Sequence, residues 1–129
     1  MRLFLRKHNR LKLEKEINQL FLHGESIFIY PIKLIYVRHN TEDFSFKVMA
    51  AVSKKYLKRA VKRNLVRRRI KEAFRQSPNL LQLENALPRT ELHLAFVYVS
   101  KEVLCYQRIE EVVNELLGKL IIKGEKGAK

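Results

Sequence analysis

The stretch from Ser53 to Arg75 constrains this chain more than any other. It carries Lys54, Lys55, Lys58, Arg59, Lys62, Arg63, Arg67, Arg68, Arg69, Lys71 and Arg75 against a single acid, Glu72. That is +10 of the chain's formal +14 in under a fifth of its 129 residues. Yet apolar residues recur through it at helical spacing. At about 100° per residue, Val66, Ile70, Ala73 and Phe74 share one sector, and Asn64, Arg67, Arg68, Lys71 and Arg75 share another roughly opposite. The pattern predicts a helix from about Arg59 to Gln76, glued to a core by one side and presenting cations on the other. Ser77-Pro78-Asn79 ends it.

Such a helix can be a merely solvated face or a membrane-surface segment. Like charges four apart (Arg63 and Arg67, Arg67 and Lys71, Lys71 and Arg75) oppose the helix by a few tenths of a kcal/mol each, so stability alone does not select them. Apart from Phe74 the apolar side lacks the bulky aromatics of an interfacial anchor. Guanidinium forks suit phosphate oxygens, and an amide such as Asn64 can read a ribose hydroxyl or a base edge. A polyanion, RNA above all, is the partner these residues fit.

The rest of the chain supplies a scaffold. Leu13, Ile17, Leu20 and Phe21 predict a first helix over about Leu11 to His23, stopped at Gly24. Ser26 to Arg38 reads as a short edge piece, a break at Pro31 and a longer strand from Ile32. After a polar turn, Phe44, Phe46, Val48, Ala50 and Val52 alternate as one face of a strand, expected to neighbour the preceding ones in an antiparallel sheet. Leu80 to Arg89 reads as a loop or short helical turn. Leu92 to Val99 is apolar on both faces and hence a central strand. Ile109, Val112, Val113, Leu116, Leu117 and Leu120 stripe a last helix. The expected fold is α+β: a single-domain sandwich in the order α-β-β-β-α-β-α, with a central mixed sheet covered by helices on one face. Residues 1–122 form one RNA-binding domain, and 123–129 read as a disordered basic tail.

No enzyme constellation emerges. Asp43 is the only aspartate, Glu110 and Glu111 diverge on a helix, and His8, His23, His39 and His93 show no metal-ligand spacing with one another or with Cys105. No catalytic residue, metal site or small-molecule substrate is therefore expected on the protein. One cysteine, no signal peptide and no membrane span point to a cytoplasmic chain without membrane partners.

Val52-Ser53-Lys54-Lys55 followed by Ala60-Val61-Lys62-Arg63-Asn64-Leu65-Val66-Arg67-Arg68-Arg69-Ile70-Lys71-Glu72-Ala73-Phe74-Arg75 resembles the signature of the bacterial ribonuclease P protein component, in which a strand ending Ser-Lys-Lys leads into a helix opening Arg-Asn-Arg. His8-Asn9-Arg10-Leu11 and the Phe21–Gly24 spacing resemble the family's opening helix. The sequence departs from the pattern at Leu65 (Arg in the triplet), at Ile17 (an aromatic) and at Lys71, which has charge without a fork. The link from Lys55 to Ala60 is one residue longer.

The resemblance implies a protein subunit without its own active site, assisting an endoribonuclease whose catalytic RNA, with bound magnesium, removes the 5′ leader of precursor tRNA. It implies contacts to that RNA by Arg63, Asn64, Arg67, Arg68 and Lys71, to which the basic patch adds Lys54, Lys55, Lys62 and Arg75. It further implies a leader cleft between the first helix and the sheet, built from Ile17, Phe21, Phe28, Tyr36 and Phe46, and a left-handed crossover around the basic helix. The rival readings are another small RNA-binding protein, such as a ribosomal protein or an RNA chaperone, then a stand-alone nuclease, and last membrane binding by the basic helix.

Overall fold

The computed structural model describes residues 14–127, with side chains through residue 123. The chain runs α1 (Glu14–His23), β1 (Glu25–Ile29), β2 (Ile32–Asn40), β3 (Ser45–Val52), α2 (Ala60–Gln76), α3 (Asn79–Ala86), β4 (Thr90–Tyr98) and α4 (Tyr106–Gly127). The four strands form one mixed sheet in the order β1-β2-β4-β3.

β1 and β2 pair antiparallel across the Tyr30–Pro31 turn, with β1 on the edge as its proline predicts. β3, however, does not neighbour β2. β4 lies between them, antiparallel to β2 and parallel to β3. The segment Thr41–Phe44 crosses the beginning of β4, and Thr41 N–H donates to the Arg89 carbonyl at 3.1 Å. Alternation identifies a strand's buried face but not its neighbour. The central place goes to β4, whose two apolar faces gain most from cover on both sides.

The registers sort side chains onto two faces. Leu34, Tyr36, Phe46, Val48, Ala50, Val52, Leu92, Leu94, Phe96 and Tyr98 pack against α2, α3 and α4 in the main core. The opposite parity, Ile35, Val37, Met49, Ala95 and Val97, forms a smaller cluster with Ile17 and Leu20 of α1. Helices thus cover both faces, not one. The alternate residues of β2 and β4 are apolar too, and α1 removes them from water.

Two further elements differ from expectation. The segment after Pro78 is an eight-residue helix, not a loop, because Leu80, Leu83 and Leu87 recur on one side and are buried. Ser77 Oγ accepts the Asn79 N–H at 3.2 Å and donates to Asn114 Oδ1 of α4 at 2.7 Å, securing its start. α4 continues through Gly127, so the backbone is helical where a disordered tail was expected to begin. Once nucleated, a helix gains one hydrogen bond for each residue it adds. Leu11–Leu13, the His8–Leu11 motif and residues 128–129 lie outside the described residues.

Gly24 ends α1 and is required there. Its N–H donates to the Leu20 carbonyl at 2.9 Å. A Cβ would stand 2.3 Å from that same oxygen and 2.7 Å from Ile35 Cγ2. Only glycine lets the chain leave the helix and enter β1 this close to β2.

Candidate nucleic-acid interface

β3 delivers the chain to Ser53, which organises the turn leading to α2. The Ser53 carbonyl accepts N–H groups from Tyr56 and Leu57 at 3.1 and 3.2 Å, and its Oγ accepts the Lys55 N–H at 3.1 Å. Leu57 plugs into the core, so Lys54, Lys55, Lys58 and Arg59 are left exposed around it. Lys55 Nζ rests 5.7 Å from the centre of the Tyr56 ring.

In α2 the buried residues are Val66, Ile70, Ala73 and Phe74, the sector read from the sequence. Phe74 meets Phe46 and Phe96 at ring distances of 5.3 and 5.7 Å, locking the helix's rotation about its axis. On the far side Asn64 and Arg68 are exposed and Arg67 is half-buried. Arg67 Nη1 donates to Asn64 Oδ1 at 2.7 Å, which leaves the Asn64 amide N–H groups as donors toward an incoming acceptor. Lys62 is exposed and Lys71 half-buried on the same helix.

Two residues expected at the RNA surface are engaged elsewhere. Arg63 Nη1 donates to the carbonyls of Leu57 and Lys58 at 3.0 and 2.7 Å. It braces the preceding turn instead of projecting outward. The helical wheel contains the reason, since Arg63 falls at about 60° from Val66, between Ile70 and Phe74. Arg75 is paired with Glu72, which also accepts from Gln76. That ion pair offsets the charge of the last turn. Arg69, outside the exposed sector, donates to the Leu104 carbonyl at 2.6 Å and ties α2 to the segment before α4. The cationic surface therefore centres on the Ser53–Arg59 turn and the first half of α2. Leu65, Arg68, Arg69, Glu72 and Tyr106 line a shallow depression of about 370 Å³ beside it. Burial raises the Tyr106 phenol above its usual range, helped by the neighbouring Glu110.

The five residues expected in a leader cleft divide between the two faces. Ile17, Phe21 and Phe28 belong to the α1 side. Phe28 stands opposite Lys33 in the β1–β2 register, in one row with Val97 and Ala51, next to the row that α1 covers. Phe21 is 47% exposed and Phe28 54%, and the Phe28 ring meets Tyr30 edge-on at 6.4 Å. Tyr36 and Phe46 point the other way, into the main core, at 3% and 9% exposure. Each sits one residue out of phase with the cleft face, and a strand's period of two forbids it from lining both. Tyr36 Oη donates to Glu25 Oε2 at 2.7 Å, and burial together with that carboxylate pushes its pKa up to about 12.

α1 is held over the sheet by polar contacts as well as by Leu20. Lys47 Nζ of β3 lies 3.1 Å from Glu16 Oε2, and His93 Nε2 of β4 lies 3.7 Å from the same oxygen. Burial pushes the Glu91 carboxyl up, but hydrogen bonds from His93 and Ser45 and the charge of Lys47 outweigh it and hold the group below its ordinary range.

Residues 5–120 match the family model for ribonuclease P. A ribonuclease P protein component of Porphyromonas gingivalis (strain W83) is 33% identical over 116 residues, covering 88% of this chain and 83% of that protein. One from Clostridioides difficile is 43% identical over 65 residues, half of this chain. In fold the chain is similar to the RNase P protein of Thermotoga maritima (TM-score 0.62, 21% identity, 84% of this chain and 96% of that one). It is likewise similar to that of Staphylococcus aureus (TM-score 0.60, 16% identity, 87% and 94%).

Proposed function

The chain belongs to the ribonuclease P protein family, and on that premise we propose that it docks on the catalytic RNA of a tRNA-processing ribonucleoprotein through α2 and the Ser53–Arg59 turn. The single observation that carries the reading is the division of α2. Val66, Ile70, Ala73 and Phe74 are sealed in the core, while Asn64, Arg67 and Arg68 face outward on a helix that cannot rotate. A rigid row of cations releases counterions from phosphates with little ordering cost, and so favours association of two mutually repelling RNAs.

The 5′ leader of precursor tRNA fits the other face. Ile17 and Phe21 of α1 and Phe28 of β1 offer apolar and aromatic surface for unpaired bases, and the exposed Lys33 in the same row suits a phosphate. Stacking of this kind is worth about 1–3 kcal/mol per base and tolerates any sequence, as a leader of variable sequence requires. The phosphodiester chemistry belongs to the RNA and its divalent metal. The protein's residues hold substrate and ribozyme together and screen their charge. Binding a generic RNA as a ribosomal protein or chaperone accounts less well for a family match spanning nearly the whole chain.

Reconstitution with the catalytic RNA tests this directly. Added protein is expected to lower the magnesium concentration at which precursor tRNA is cleaved. An unchanged magnesium demand would refute the assignment.

A further inference from the structure

One end of the α1 face gathers side chains that neither RNA reading uses. Glu16 comes from the first turn of α1, while Glu91 and His93, two apart on β4, point to the same face. A carboxylate oxygen from each glutamate and a ring nitrogen of His93 all lie within 4.8 Å of one another. His93 Nε2 is 2.9 Å from Glu91 Oε2 and 3.7 Å from Glu16 Oε2, and its side chain is only 5% exposed. The His39 ring packs beside it at 4.7 Å between centroids.

We propose that Glu16, Glu91 and His93 form a binding site for a divalent transition-metal ion of the zinc class, bridging α1 to β4. The donor set carries the choice of ion. Two carboxylate oxygens and one imidazole nitrogen suit Zn²⁺ or Co²⁺, whereas Mg²⁺ keeps to oxygen ligands and retains its waters. Ligand atoms on a tetrahedral zinc at 2.0–2.1 Å stand roughly 3.3 Å apart, and the two carboxylate contacts of His93, at 2.9 and 3.7 Å, bracket that spacing. Charge points the same way. The two carboxylates offer −2 to a bound ion, and Lys47, 3.1 Å from Glu16 Oε2, is the fixed cation that such an ion would displace. A divalent ion on the two carboxylates frees the lysine, whose partly exposed stem can swing to solvent. Lys47 is thus the built-in competitor for the site. The site rests on this ligand geometry and is independent of how leader or ribozyme is bound.

The test is a Co²⁺ titration of the full chain followed by visible d–d absorption, with Zn²⁺ as displacing ion. A Cys105→Ser background removes the exposed thiol as an alternative ligand. One equivalent is expected to bind. Glu16→Gln and His93→Gln should each weaken it about tenfold or more, since removing a ligand costs at least as much as removing an outer-shell partner. Lys47→Met should tighten it several-fold, the opposite of what deleting a merely structural ion pair would do. Far-UV circular dichroism confirms each variant's fold, and should His93→Gln fail to fold, half-exposed Glu16 still decides. Affinity unmoved by Glu16→Gln, or weakened by Lys47→Met, would overturn the site.

Discussion

Arginines of the same helix do different work here, and the difference lies in what each guanidinium already touches. Arg68 is exposed, whereas Arg63 is held by two backbone carbonyls. Arg68→Ala should leave the urea midpoint unchanged and flatten the slope of log affinity for the catalytic RNA against log salt by about 0.7–0.9 for each phosphate it no longer neutralises. Arg63→Ala should instead lower stability by about 1 kcal/mol, the value of a charge-assisted hydrogen bond discounted for partial exposure, and weaken RNA binding by loosening the turn that carries Lys54 and Lys55. Equal effects of the two on the salt slope would contradict this division. Gly24 is a second residue-scale case. Gly24→Ala must push the end of α1 away from Ile35 and is expected to cost about 1–3 kcal/mol in a denaturant melt. The stop at Gly24 is legible from its place after an apolar repeat. The role of Arg63 is legible too, from its angle on the wheel, but the family motif points to its charge and says nothing of its direction.

Among the elements, those with long periodic patterns are legible in the sequence and those defined by partners are not. The buried stripe of α2 and the alternation of β3 emerge as read, because each period is written in adjacent residues. The insertion of β4 between β2 and β3 is a pairing choice that no local period records. α3 gives only a weak signal, an eight-residue helix within the short span from Pro78 to Pro88, although Leu80 and Leu83, with Leu87 at its cap, carry the helical spacing. The parity of Tyr36 and Phe46 becomes decidable only when the large core is assigned to its face. α1 rests on the sheet through a small cluster centred on Leu20, Ile35 and Ala95. Leu20→Ala should therefore cost about 2–5 kcal/mol. If the leader reading holds, it should also weaken precursor-tRNA binding by the reconstituted enzyme more than assembly with the catalytic RNA. Equal losses in leader-bearing and mature tRNA affinity would show that α1 does not form the leader's wall.

At the scale of the whole molecule, the sheet separates two surfaces that one small domain must offer at once. α2 packs on one face through Phe74 and Val66, while Phe28, Lys33 and α1 occupy the other. Sequence composition locates the charge but cannot show this separation, because residues adjacent in β2, such as Leu34 and Ile35, belong to opposite faces. The separation has an energetic consequence. Substitutions without shared partners add to within about 0.3–0.5 kcal/mol, so Arg68→Ala and Phe28→Ala should be additive in the free energy of precursor-tRNA binding by the assembled enzyme. Their individual signatures should differ as well. Arg68→Ala is expected to weaken assembly with the catalytic RNA whether or not substrate is present. Phe28→Ala should leave assembly and mature-tRNA affinity unchanged and lower affinity for leader-bearing tRNA by the value of one stacked base, about 1–3 kcal/mol. Filter-binding measurements on the two single variants and the double variant decide the matter. A coupling energy well above about 0.5 kcal/mol would mean that one RNA segment contacts both surfaces, and that the sheet joins them and does not keep them apart.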